Sequence, residues 1–413
     1  MQAFPAINAE FSYIALLFAL FVLPRVLQRW SIPTAITAFG LGAALAMTVG
    51  LFTHDPTVEL LSTFGIVSLF LFAGLEVDLP QLRKAVLPLA VHLLFRIVSL
   101  AAVAWIVWRF MDIGPRPAAL VALALLTPST GFILDTLHVY GLNAQEEFWV
   151  RSKAISSEIV ALGALFVVLQ SETALRLTVS AVILGLVIAL LPVVFHWFAR
   201  RVRPYAPKSE FAFLIMIAVL CAIVTRELGV YYLVGAFVVG MAAQNFRTHL
   251  PAMASEQMLH AVEAFASLFV PFYFFHAGLA LRPEDFGWGG LLTGAVFLAV
   301  GIPLRVFLVS LQRRTMHAQS WRDSLRISVP LLPTLVFTLV LVSILRDRFG
   351  APPYLVGGLI VYTIVTTMIP GLFLRAPTPD YETFHHASIP EGSATTGAAP
   401  AMDHGAPAVD QPK

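Results

Sequence analysis

Thirteen apolar runs, most of them near twenty residues, follow one another along the chain at about 11–28, 32–50, 57–76, 84–109, 116–138, 147–170, 174–199, 208–226, 229–246, 256–281, 287–311, 320–347 and 352–374. A bilayer core takes about 20 apolar residues per helix, and a backbone inside it must satisfy its own polar groups. The pattern therefore predicts an all-α integral membrane fold of about thirteen transmembrane helices. The connecting segments are too short to hold a soluble domain. Composition agrees: 58% of the residues are hydrophobic and 12% charged, against about a quarter charged in soluble domains. The formal net charge of +2 lies in short clusters between the runs, with no continuous basic face for nucleic acid. The single cysteine, Cys221, lies within an apolar run, so no internal disulfide is expected. Residues 1–10 lack the basic region that opens a cleavable signal peptide.

Short loops rich in Lys and Arg mark the cytoplasmic side of a membrane. Loops carrying Arg83 and Lys84, Arg200, Arg201, Arg203 and Lys208, or Arg313 and Arg314 alternate with poorer ones at Arg109 and Arg116, Arg282, or Arg346 and Arg348. This places the N-terminus outside and the C-terminus in the cytoplasm, with a bacterial inner membrane as the expected location. Residues 1–375 read as the transmembrane domain. The stretch 376–413 is rich in Ala, Pro, Gly and His without periodicity, and is expected to be a disordered cytoplasmic tail.

Two runs are interrupted by proline near their middle: Thr127-Pro128-Ser129-Thr130-Gly131 in the fifth and Pro330-Leu331-Leu332-Pro333-Thr334 in the twelfth. Proline removes a backbone donor and clashes with the preceding turn. The freed groups need a partner or a water-filled cavity at that depth. The breaks fall in the fifth of the first six runs and the fifth of the last six. One linker run, 174–199, separates repeat one (11–170) from repeat two (208–374), so the second set enters from the opposite side. This predicts two inverted six-helix repeats with crossed broken helices, the plan of many secondary transporters.

Several stretches resemble the monovalent cation:proton antiporter-2 family of the sodium/proton exchanger superfamily. Phe70-Leu71-Phe72-Ala73-Gly74-Leu75-Glu76-Val77-Asp78 looks like its F-x-x-G-L-E-x-D signature. Leu233-Val234-Gly235-Ala236-Phe237-Val238-Val239-Gly240 resembles LGAFLAG, and the run from Leu268 to Leu279 resembles LFxPxFFxxxG. Leu23-Pro24-Arg25 through Ser31-Ile32-Pro33 looks like the entry to the family's second span. The match extends from residue 12 to about 375. The resemblance implies a sodium/proton antiporter fold, a homodimer built by scaffold spans, and an ion-binding carboxylate midway along the sixth span. That carboxylate is usually preceded by Asp, Asn or Gln; here the matching pair is Ser157-Glu158. The family's basic residue in the eleventh span corresponds to Arg305. After Pro333, where relatives often carry Arg-Gly-Glu or Gln-Gly-Glu, this chain reads Thr334-Leu335-Val336. No nucleotide-binding domain is expected.

Glu158 is the strongest single candidate. A carboxylate at the centre of a 24-residue run costs several kcal/mol unless partnered or hydrated, which is the setting of a group that alternates between proton and cation. Arg305 is its expected charge partner. Thr127, Ser129, Thr130, Ser157 and Thr334 offer oxygens suited to a hard cation such as sodium, though hydroxyls in such places also re-satisfy backbone groups freed by proline. Asp135 is a possible gate to the site, Arg96 a structural partner to Glu76 or to carbonyls, and His276 a possible pH sensor. No cofactor or resident metal is expected, because no ligand cluster, nucleophile–base pair or phosphate loop is present. The reading is therefore not an enzyme. It is a secondary transporter exchanging Na+ or K+ for H+, expected to be electroneutral, with one titratable carboxylate and a fixed positive partner. A non-transporting sensor or scaffold and a cation efflux channel are the rival readings.

Overall fold

The computed structural model describes residues 9–30, 32–77, 86–206, 209–246, 256–317 and 321–374; the expected tail, 376–413, lies outside them. The regular elements are all helical, and no strand occurs among the described residues. In chain order they are α1 (Ala9–Leu27), α2 (Thr34–Thr48), α3 (Pro56–Leu75), α4 (Val86–Phe110), α5 (Pro115–Leu126), α6 (Thr130–Thr136), α7 (Ala144–Gln170) and α8 (Ala174–Arg201). Then follow α9 (Glu210–Glu227), α10 (Tyr232–Asn245), α11 (Glu256–Leu279), α12 (Trp288–His317), α13 (Trp321–Ser328), α14 (Leu335–Phe349) and α15 (Pro353–Phe373).

Among the described residues, 9 helices are long and apolar enough to cross a bilayer, or up to 10 if the bent pair α13–α14 is one span. The expected thirteen is not reached on length and apolarity alone. The remaining runs coincide with the short helices α2 and α10 and with α9, which carries Glu210, Arg226 and Glu227 at its ends.

Local chemistry sets several helix starts. Asp55 caps α3, accepting from the amides of Thr57 and Val58, and Pro56 takes the first helical position where no donor is needed. Asn143 and Glu146 form a reciprocal capping box that opens α7.

The helices sort into two packed groups. One contains α1, α2, α3, α9, α10 and α11, with α8 laid against α10. The other contains α4, α5, α6, α7, α12, α13, α14 and α15, and so holds both broken helices. The α8 helix turns Leu175, Val182, Leu186 and Val193 outward, each more than half exposed. In water such a face would drive association; facing lipid it costs nothing.

The first group is held by close backbone approach. A Cβ on Gly74 would lie 2.3 Å from the Phe237 carbonyl oxygen, and one on Gly240 would lie 2.4 Å from the Leu71 carbonyl oxygen. Only glycine lets α3 and α10 meet at this distance. Both residues belong to the sequence runs that resemble family signatures, so those runs encode packing.

Candidate functional site

The two proline breaks meet. Pro128 holds Thr127 in an extended conformation, which ends α5 at Leu126, and α6 resumes at Thr130. On the other side, α13 tightens into a 3₁₀ turn over Val329–Leu331, and the chain bends by 45° before α14. The Ser129 amide donates to the Pro333 carbonyl at 2.8 Å, joining one break to the other.

Four carbonyls freed by these breaks find side-chain donors. In an unbroken helix the Ala124 carbonyl would accept from residue 128, which is proline; here the Thr338 hydroxyl donates to it at 2.9 Å. The Leu125 carbonyl would accept from Ser129, whose amide is turned to Pro333; the Tyr362 hydroxyl replaces it at 2.8 Å. Arg305 serves the second break. Its guanidinium donates to the carbonyls of Leu331 and Leu332, the latter at 2.7 Å, and to the Tyr362 hydroxyl at 3.4 Å. A cation at the carbonyl end of a helix segment is favoured by the segment's dipole as well.

Several polar atoms near the first break are left unsatisfied. The side-chain oxygens of Thr127, Ser129 and Thr130 and Oε2 of Glu158 are buried without a hydrogen-bond partner. Glu158 is 3% exposed. Thr130 presents its hydroxyl to the Glu158 carboxyl without completing a hydrogen bond. Buried polar atoms are rarely orphaned, and each one asks for an explanation. Three of these oxygens lie in or beside the first break and the fourth on α7, and oxygens of this kind are the chemistry that a hard cation accepts.

The other expected site residues are distributed as follows. Arg305 belongs to the same helix group as Glu158, but no ion pair joins them among the described residues; the carbonyls of Leu331 and Leu332 hold the guanidinium instead. Thr334 stands at the second break and shares a hydrogen bond of 2.8 Å with Thr363. Ser157 lines a neighbouring cavity between α4, α7 and α12. Asp135 is on α6, and its side chain lies outside the described residues. Glu76 pairs with Arg151 at 2.8 Å, not with Arg96, because the start of α7 lies beside the end of α3. His276 is on α11, in the group without the breaks.

Tyr362, Thr338 and Thr363 were not singled out from the sequence. Their signal was faint: a Tyr-Thr pair followed by Thr366 and Thr367 in an otherwise apolar run. The polar ties between the two helix groups were missed as well. At the end of α7, Gln170 donates to the Leu228 carbonyl at 2.9 Å, and Arg348 donates to the Gly229 carbonyl at 2.9 Å. Glu172 gathers Arg116, Arg176 and Arg348 around this point. The hydrogen bond from Arg116 holds its carboxyl below the usual range.

Residues 14–378 match the family described as sodium/hydrogen exchanger, transmembrane. The chain belongs to this exchanger family. Curated relatives of this exchanger-family chain include the Na(+)/H(+) antiporter NhaS5 of Synechocystis, 23% identical over 384 residues that make up 88% of this chain and 53% of the relative. The probable Na(+)/H(+) antiporter 3 of Methanocaldococcus jannaschii is 22% identical over 252 residues, 57% of this chain and 62% of the relative. This chain thus spans between about half and three-fifths of the length of these relatives. Both are named as antiporters rather than enzymes. Among solved structures, the fold of this exchanger-family chain is similar to that of the sodium proton antiporter MjNhaP1 from M. jannaschii at pH 8. The TM-score is 0.66 at 13% identity, covering 88% of this chain and 95% of that one. An electron-microscopy map of the same antiporter gives a TM-score of 0.56 at 13% identity, over 89% of this chain and 95% of that one.

Proposed function

We propose that the protein exchanges a monovalent cation, Na+ or K+, for H+ by alternating access, with Glu158 as the carboxylate that both ions share. The observation that carries this reading is the set of orphaned buried oxygens from Thr127, Ser129, Thr130 and Glu158 beside the paired breaks. A dehydrated cation would complete their coordination. A proton on Glu158 would instead neutralise its charge and let the group cross in the cation's absence. Because both ions need the same carboxylate, neither binds without displacing the other, and coupling follows.

In this reading the helix group holding α5, α6, α7, α12, α13 and α14 carries the ion and moves against the group built on α3, α10 and α11. Because α4 and α15 pack with that group, we take them to move with it. We extend the reading to thirteen spans in two inverted repeats, an outside N-terminus in a bacterial inner membrane, and a homodimer through the scaffold group. Arg305 remains charged at any working pH, so a single titrating carboxylate makes the exchange one proton for one cation and electroneutral.

The test is cation-induced proton flux in proteoliposomes loaded with a pH dye. Sodium or potassium should drive proton movement in wild type and not in Glu158→Gln, at a rate indifferent to an imposed membrane potential. Flux that follows the potential would end the electroneutral reading. Undiminished flux in Glu158→Gln would remove the carboxylate from its role. Silence in folded wild type would favour the sensor or scaffold.

A further inference from the structure

On the flank of the broken helices, a cavity with an empty volume of about 600 Å³, counting its open mouth, lies between α4, α7, α12 and the 3₁₀ turn after α13. Three cationic side chains line it: Arg96, Lys153 and Arg305. No carboxylate is among its described lining residues. Its remaining polar lining is Ser99, Ser157, Ser328 and Gln312. The hydroxyls of Ser99 and Ser328 donate to the Phe95 and Ser324 carbonyls, which leaves the cations as the main donors to face an occupant. A path for a cation would be lined by the opposite charge.

The cations are not equivalent. Arg305 is engaged by the Leu331 and Leu332 carbonyls, and Lys153 has a further interaction of its own. Arg96 differs: its Nε and Nη2 are buried and make no hydrogen bond. Arg305 lies close enough to repel it electrostatically. The side chain as a whole is half-buried, but these two nitrogens have given up water without gaining an acceptor, which is costly for a charged group. Two guanidinium groups facing one cavity make the penalty larger. The geometry suits an acceptor with two oxygens in one plane, which a guanidinium fork binds through paired hydrogen bonds.

We propose that this cavity is an oxyanion site, in which a carboxylate or phosphate group sits against Arg96 and is shared electrostatically with Arg305. The occupant neutralises the charge beside the second break and ties α4 to α12. Two sources carry this chemistry. One is a soluble oxyanion. The other is the headgroup of an anionic lipid, which would reach Arg96 along the outward face of α4, where Leu94 is 62% exposed. The site needs no transport to be occupied, so its test stands apart from that of the exchange reaction.

The experiment is thermal unfolding of the full chain in an uncharged detergent, at fixed sodium concentration, ionic strength and pH. Phosphate or acetate is titrated in exchange for chloride, and phosphatidylglycerol in exchange for phosphatidylcholine. A ligand that binds only the folded state raises Tm with saturation. The expected result is a saturable rise of a few degrees in wild type, lost in Arg96→Gln and reduced in Arg96→Lys, which keeps the charge without the fork. A rise with phosphate or acetate identifies a soluble oxyanion, and a rise with phosphatidylglycerol alone identifies a lipid headgroup. No rise with either, or the same rise in Arg96→Gln, overturns the proposal. If Arg96→Gln does not fold, hydrogen exchange of wild type decides: ligand-dependent protection over residues 93–100 supports the site, and its absence overturns it.

Discussion

The amide of Ser129 and the carbonyl of Pro333 are 2.8 Å apart and hydrogen-bonded. Two helix breaks 200 residues apart in sequence are therefore one local structure, and the donors around them act as a single set of replacement caps.

Tyr362 is the cap with the clearest prediction. Tyr362→Phe keeps the ring and removes the donor to the Leu125 carbonyl. Leaving a buried carbonyl unsatisfied costs about 1–3 kcal/mol. The variant should melt several degrees below wild type in detergent, and Thr338→Val should lose a similar amount for the same reason at Ala124. A melt unchanged in both would mean that water serves these carbonyls equally well.

Arg305 should matter to stability before it matters to ions. Arg305→Ala strips donors from two carbonyls at once, and a loss of about 3 kcal/mol is expected. Arg305→Lys should recover part of this, because one ammonium can reach one carbonyl but lacks the planar fork. Chemical denaturation of the two variants beside wild type checks the order. Equal losses would show that charge without the planar fork recovers nothing at this position.

The proposal that proton and cation share Glu158 fixes the sign of the expected pH response. As pH falls through the titration of this carboxylate, protons occupy it more of the time and more sodium is needed to displace them. The half-saturating sodium concentration should rise about tenfold per pH unit once the protonated form dominates. Thr130→Val should raise it at every pH by removing one oxygen donor. A half-saturation that does not move with pH would place the proton and the cation on separate groups.

Glu172 offers a second pH signature, away from the ion site. Its carboxyl is held below the usual value by the hydrogen bond from Arg116. A lowered folded value means that the stabilisation is present above the unfolded pKa, about 4.3, and is lost as pH falls through the folded one. Corrected for the intrinsic rate at each pH, hydrogen exchange at residues 228–232 should accelerate in acid in wild type. In Glu172→Gln it should be fast already at neutral pH. Exchange that ignores both pH and substitution would show that Gln170 and Arg348 hold this end without help.

The membrane class and the positions of the breaks were legible in the sequence because each depends on one residue type in one place: apolar runs for the first, Pro128 and Pro333 for the second. Glu158 stood out because a carboxylate in hydrocarbon needs a reason. Arg305 was found, but the carbonyls that hold it in this structure were not. Spans have no fixed angular relation in a linear reading, so the carbonyls of Leu331 and Leu332 could not be seen to compete for it. Tyr362 and Thr338 were lost among residues that pack normally in membrane helices. Their role exists only because particular carbonyls, those of Leu125 and Ala124, are without a backbone donor.

The glycine contact between α3 and α10 also governs how motion can be distributed. Where Gly74 meets Phe237 and Gly240 meets Leu71, main chain rests on main chain. No side chain lies between them to change rotamer and take up a displacement. In the proposed cycle that half would be the stator: with no slack at this contact to absorb strain, a change in which side the ion faces would fall on the seam with the other half. The polar ties across that seam, at Gln170, Arg348, Arg151, Tyr231, Tyr273 and Arg346, would then be the points where the rate of the cycle is set.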